Sequence, residues 1–135
     1  MEKQVLSICI PTYNRKDVLV AEVKDYLSVK DDRFKVVVQD NCSTDGTSED
    51  ISVIQDGRLI YRKNESNEGS IPNWIKSLSG NDTEYLLFTL DKDLVDIRKL
   101  TDFINYLEQE KPAFGYVDLS NNKPYHIQHN SRGID

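Results

Sequence analysis

Val5-Leu6-Ser7-Ile8-Cys9-Ile10-Pro11-Thr12-Tyr13-Asn14-Arg15 begins as a short, almost unbroken apolar run and ends at a proline inside a polar cluster. A run of strand length without polar alternation suits a strand covered on both faces, as in parallel sheets. Working outward, Lys35-Val36-Val37-Val38-Gln39 repeats the pattern and stops at Asp40-Asn41. Between the two, Arg15 to Val29 sets Val18, Leu19, Val23, Tyr26 and Leu27 at helical spacing, with Asn14 or Asp17 placed to cap its start. The opening unit is therefore strand, helix, strand.

The alternation continues. Ser43-Thr44-Asp45-Gly46 has turn chemistry, Asp45 suited to cap the next helix and Gly46 to a left-handed conformation; Ser48 to Gln55 is a short helix. Arg58 to Arg62 reads as a third strand, Asn64 to Ser70 as a polar loop, and Pro72 to Ser79 as a helix that Pro72 starts and Trp74 anchors in the core. Tyr85-Leu86-Leu87-Phe88-Thr89-Leu90 is the most apolar strand and is expected to be buried up to Asp91. Ile97 to Glu110 places Leu100, Ile104 and Leu107 on one helical face beside Phe103, and Phe114 to Leu119 is a further strand candidate. Residues 120–135 are polar and without periodicity, so residues 1–119 form the expected domain and 120–135 a polar tail or the start of a missing second half. The fold class is α/β: a mostly parallel sheet with helices on both faces and right-handed crossovers.

With 135 residues, 38% apolar and 30% charged, the chain has the size and balance of one globular domain. Its 23 acidic against 17 basic side chains leave a net charge of -6, which argues against nucleic acid as the partner. The segment shows neither a secretory leader nor a transmembrane stretch, so a cytoplasmic location is expected, at the inner face of a membrane in a longer protein. Cys9 and Cys42 are too few for a disulfide framework or a zinc site and read as reduced, buried small residues.

Ligands of open α/β sheets bind beyond the carboxyl ends of the strands. Three polar clusters fall there: Pro11 to Arg15, Asp40 to Thr47, and Asp91-Lys92-Asp93. Acids on strands two positions apart would stand roughly 10 Å from each other. That span suits the base and phosphate ends of one nucleotide.

Leu6 to Arg15, followed by Val36 to Thr47, then Asn67-Glu68-Gly69 with Asn73, then Asp91-Lys92-Asp93, resembles the family 2 glycosyltransferases of the GT-A fold, a Rossmann-like nucleotide-diphospho-sugar transferase fold. The resemblance spans most of residues 5–97. It implies an inverting transferase moving a sugar from a nucleotide-diphospho-sugar donor, UDP-linked, to an acceptor hydroxyl on a sugar or lipid-linked glycan. It also implies a divalent cation, Mn²⁺ or Mg²⁺, at the Asp-x-Asp loop. Oxygen ligands and a hard cation are matched, and such a cation neutralises the departing diphosphate.

Carried over residue by residue, the resemblance has Asp40 bonding a pyrimidine imide, with Pro11, Thr12, Tyr13, Asn41, Asn67 and Gly69 lining the donor pocket. Asp93 holds the metal, and Asp91 faces ribose or shares the metal shell. Arg15, Arg62 and Lys92 are candidate phosphate contacts, because their charge opposes it.

Each residue has a plainer reading. Asp91 and Asp93 can be an exposed acidic turn, Asp40 a turn initiator, Asn67 and Gly69 a loop bend, and His126 with His129 part of a solvated tail rather than metal ligands. Family members continue past the metal loop into an acceptor-binding half that supplies a carboxylate general base. Here only Asp118 and Asp135 qualify, merely as acids. The chain thus reads as the donor half of an enzyme, with a non-catalytic nucleotide-binding or interaction module on the same scaffold as the alternative. A nucleotidyltransferase is disfavoured, since no Gly-rich loop follows the first strand.

Overall fold

A computed structural model describes residues 3–91, 96–113, 115–117 and 127–129. The chain divides into two compact units, residues 1–93 and 94–135.

The first unit is a four-stranded parallel sheet in the order β3-β2-β1-β4, with β1 Leu6–Thr12, β2 Phe34–Asp40, β3 Leu59–Lys63 and β4 Tyr85–Phe88. Every residue of β1 and β2 is buried, which is why their sequences run apolar without alternating. The connections are α1 (Lys16–Ser28), α2 (Thr47–Ser52) and α3 (Ser70–Leu78). The first two crossovers step from β1 to β2 to β3, and the third steps back past both strands to β4. Right-handed crossovers then put α1 and α2 on one face and α3 on the other. The strand order reverses between β1 and β4, and this switch fixes where a crevice opens.

Helix α1 buries Leu19, Val23, Tyr26 and Leu27, while Val18, expected on the same face, is exposed. Neither Asn14 nor Asp17 caps it. Instead the Lys16 amide donates to Asp45 Oδ2 (3.0 Å) from the β2–α2 loop, and Asp45 Oδ1 accepts from the amide (3.2 Å) and hydroxyl (2.5 Å) of Thr47 at the start of α2. One carboxylate thus serves two helix starts. Gly46 takes the left-handed φ of 91° expected of it.

Helix α3 starts two residues before Pro72, behind Gly69, so Pro72 sits inside its first turn, where a missing amide costs nothing. Its orientation reverses the usual rule. Asn73 and Ser77 are its buried residues, and Ile71, Trp74, Ile75 and Leu78 are exposed. Trp74 is therefore not a core anchor; its ring meets Phe88 edge to face, with centroids 5.8 Å apart. Strand β4 is shorter than its apolar run and, among the described residues, lies at the edge of the sheet, with Leu86 and Phe88 exposed, so the expectation of a buried strand fails.

In the second unit a 3-10 turn (Ile97–Lys99) leads into α4 (Leu100–Glu110), whose Leu100, Phe103, Ile104 and Leu107 are buried as their spacing predicts. The Asp96 carboxylate receives the Arg98 amide and guanidinium, which hold its pKa down to about 2. Strand β5 (Gly115–Val117) pairs antiparallel with β6 (Ile127–His129), so the polar segment expected to lack structure contains a short strand. Asp118, His126 and Asp135 lie outside the described residues. Cys9 is buried, and burial pushes its thiol up to about 11. Cys42 is only half-buried, at φ 66° in the loop after β2, against the expectation of a second core cysteine.

Candidate functional site

The register aligns Thr12 of β1, Asp40 of β2 and Lys63 of β3 at one edge of the sheet. Asp91 joins them three residues after β4. The hydroxyl of Thr12 donates to Asp91 Oδ2 at 2.9 Å, and Arg15 Nε lies 3.4 Å from Asp91 Oδ1. The Asp91 side chain is 9% exposed and that of Arg15 44%. Thr12, Arg15 and Asp91 thus meet where the strand order reverses, with Tyr13 exposed beside them and Pro11 buried in the strand. Lys92 and Asp93, on which the expected metal and phosphate contacts fall, lie outside the described residues.

Asp40 is fully buried. Its Oδ1 accepts from the Ser43 amide (2.9 Å) and hydroxyl (2.6 Å), and its Oδ2 accepts from the Tyr61 hydroxyl. Burial, then the bond to Asp40, pushes the Tyr61 phenol well above its ordinary range. A carboxylate has about four acceptor sites, so three donors leave one. Asp40 therefore holds the turn first, and a base imide would have to use what remains. Tyr61 was not singled out from the sequence. The available signal was a hydroxyl two residues before the end of a strand next to the one that ends in Asp40.

Asn41 is wholly committed within the protein. Its amide donates to Asn67 Oδ1 (2.8 Å) and the Gly69 carbonyl (3.2 Å), and its Oδ1 accepts from the Asn64 amide (3.0 Å) and the Glu68 backbone (2.9 Å). Asn64 bonds onward to Asn73, and Asn73 donates to the Gln39 carbonyl at 3.0 Å. Asn41, Asn67 and Gly69 therefore shape the edge as a hydrogen-bonded loop, not through free side-chain groups. Buried amides this well satisfied rigidify what they join.

Arg62 does not reach the edge. Its guanidinium donates to the Ser79 carbonyl (2.7 Å) and Asn81 Oδ1 (3.1 Å) at the carboxyl end of α3. Helix carbonyls left without intrahelical partners attract such a cation, so the expected phosphate contact gives way to a helix cap.

The loops beyond β1 and β2 are laced together: Asn14, at φ 50°, accepts from the Thr44 amide (2.7 Å), and its own amide donates to Ser43 Oγ (2.8 Å). This brings the first two polar clusters side by side. Among the described residues no group of three metal-ligating side chains gathers. That does not conflict with a hard cation held by one or two carboxylates plus substrate phosphates.

A sequence profile described as Glycosyl transferase family 2 matches residues 7–134. The chain is 30% identical over 124 residues to the UDP-Glc:alpha-D-GlcNAc-diphosphoundecaprenol beta-1,3-glucosyltransferase WfaP of Escherichia coli, covering 92% of this chain and 49% of that one. It is 32% identical over 117 residues to the abequosyltransferase RfbV of Salmonella typhimurium, covering 82% and 34%. The chain thus spans half or less of the length of these relatives.

Among solved structures, TarS of S. aureus in complex with UDP-GlcNAc superposes with a TM-score of 0.66 at 26% identity, over 84% of this chain and 33% of that one. The mannosyltransferase PcManGT of Pyrobaculum calidifontis, solved with GDP-Man and Mn²⁺, gives 0.66 at 22% identity, over 83% and 34%, a likeness of fold. The sheet is thus part of the GT-A fold, and the transferase relatives do not favour a binding module without catalysis.

Proposed function

The chain belongs to glycosyl transferase family 2, and from that membership we propose that the edge formed by Thr12, Arg15, Asp40 and Asp91 is the donor half of a glycosyltransferase site. The donor is a nucleoside-diphospho-sugar, UDP-linked, as in the relatives named for UDP-Glc and UDP-GlcNAc. The observation that carries the reading is the convergence of Thr12, Arg15 and Asp91 at the β1/β4 switch, with Asp40 in register one strand away. Exposed Tyr13 offers a ring face to the base, and Arg15 offers charge to the diphosphate.

Asp93 and Lys92 follow directly on Asp91. Asp93 would hold a divalent cation and Lys92 would add positive charge near the phosphates. The chemistry such a cation supplies is charge neutralisation at the leaving diphosphate. The lipid-linked acceptor named for the Escherichia coli relative suggests work at the inner face of a membrane. Among the described residues no helix is long and apolar enough to cross one.

Titration calorimetry with UDP and Mn²⁺ tests the donor site. The expected result is saturable binding that is lost without the metal and weakened at least about 10-fold by Asp93→Ala, the cost of one charge-assisted contact. Absence of nucleotide binding in the presence of Mn²⁺ sinks the proposal.

A further inference from the structure

We infer that Thr12 is a positioning residue that fixes the Asp91 carboxylate at the β1/β4 switch, so that Asp91 serves the site in the posture that Thr12 gives it. The inference rests on the donor-site reading above for its functional half and on geometry alone for its structural half. Asp91 follows the last ladder bond of the β4 side, in which the Thr89 amide donates to the Cys9 carbonyl at 3.1 Å. From there its carboxylate turns back across the switch toward β1. One oxygen accepts the Thr12 hydroxyl and the other faces Arg15, and the side chain is nine-tenths buried in that posture. Both oxygens are thereby oriented by groups at the end of β1, Thr12 by a direct hydrogen bond and Arg15 by charge.

Thr12 is itself 4% exposed and stands in register with Asp40 on its other side. Its hydroxyl has few directions open to it, because χ1 of a β-branched residue is restricted. The bond therefore ties Asp91, three residues past β4, to a strand buried along its whole length. Loss of the bond would leave a buried carboxylate short of a donor and free to turn away from the switch. This reading assigns Thr12 a different job from lining the nucleoside pocket.

Two measurements on the full chain test it. The first is a double-mutant cycle in thermal unfolding with Thr12→Val, Asp91→Ala and the pair. The expected result is non-additivity, the pair no worse than the worse single variant; strict additivity overturns the inference. It needs no nucleotide, so it stands even where the donor-site reading fails.

The second is UDP binding with Mn²⁺. Thr12→Val should weaken binding about 10-fold, the size of one buried hydrogen bond, and Thr12→Ser, which keeps the hydroxyl, should recover to within about 2-fold of the parent chain. Asp91→Asn, which keeps an acceptor for Thr12, should be milder than Asp91→Ala. If Asp91→Asn equals Asp91→Ala while Thr12→Val binds like the parent, Asp91 acts independently of Thr12 and the inference is wrong. If the parent chain binds no UDP, the donor-site reading falls and the unfolding cycle alone decides whether Thr12 fixes Asp91.

Discussion

Helices α1 and α3 cover opposite faces of one sheet and do it in opposite ways. The first lays Leu19, Val23, Tyr26 and Leu27 inward. The second turns Asn73 and Ser77 inward and leaves Ile71 (64% exposed), Trp74 (39%), Ile75 (61%) and Leu78 (38%) outward, continuous through Trp74 with Phe88 of the edge strand. One helix is held by apolar burial, the other by amides: Asn73 to the Gln39 carbonyl and Asn64 to Asn73. Burial of an apolar side chain contributes roughly 1.5–3 kcal/mol, whereas a hydrogen bond nets about 1 and costs more when one partner is left alone. The α1 face should therefore behave as core and the α3 face as a surface pinned by a few specific contacts.

Four measurements break or sharpen the contrast. Leu19→Ala should lose about 2–5 kcal/mol in denaturant unfolding, as for a fully buried leucine that leaves a cavity. A loss under about 1 kcal/mol would mean that α1 is not the core helix. Asn73→Leu should cost about 1–3 kcal/mol, because the Asn64 amide and the Gln39 carbonyl lose their partner. A neutral or stabilising outcome would show that apolar contact holds α3.

The third is acid sensitivity at Asp45. Partial burial alone would raise its pKa, but bonds from Thr47 and from the Lys16 and Thr47 amides outweigh it and hold the carboxyl below its ordinary value. A depressed folded pKa contributes stability above the unfolded value near about 3.9 that is lost as pH falls through the folded one. Asp45→Asn should therefore narrow the difference between unfolding midpoints at neutral pH and at acid pH. Solvent screening keeps the effect below about 1 kcal/mol, and an unchanged difference would remove Asp45 as the tie between the two helix starts.

The smallest effect is expected at Ile75→Ser, within about 0.5 kcal/mol of the parent chain, while binding of a hydrophobic dye falls. Iodide should also quench the chain's single tryptophan, Trp74. A large destabilisation together with a shielded tryptophan would mean that the α3 face is covered in solution.

The α1 half was legible because its physics is periodic. The apolar runs of β1 and β2 announce strands buried on both faces, the helical spacing selects Leu19, Val23, Tyr26 and Leu27, and Asp45-Gly46 carries its own turn chemistry. The α3 half misled for the same reason. Trp74 looks like the core anchor of its helix, and Tyr85 to Leu90 looks like a buried strand. Periodicity reports that a face is apolar; it does not report whether anything lies against it. The candidate site divides likewise: Thr12, Arg15, Asp40 and Asp91 are polar residues at strand ends, whereas the assignment of Arg62 to a helix end and of Asn41 to an internal network depends on partners 17 to 28 residues away.

By itself, the sequence determined the parallel α/β class, the order of elements through α3 and which polar clusters stand at strand ends, because these follow from local periodicity and the handedness of crossovers. Only the tertiary structure decided which polar groups are already spent. Asp40 goes to Ser43 and Tyr61, Arg62 to the end of α3, and Asp91 to Thr12 and Arg15. Hydrogen-bond capacity is finite, and distance in space, not in sequence, determines which partner takes it.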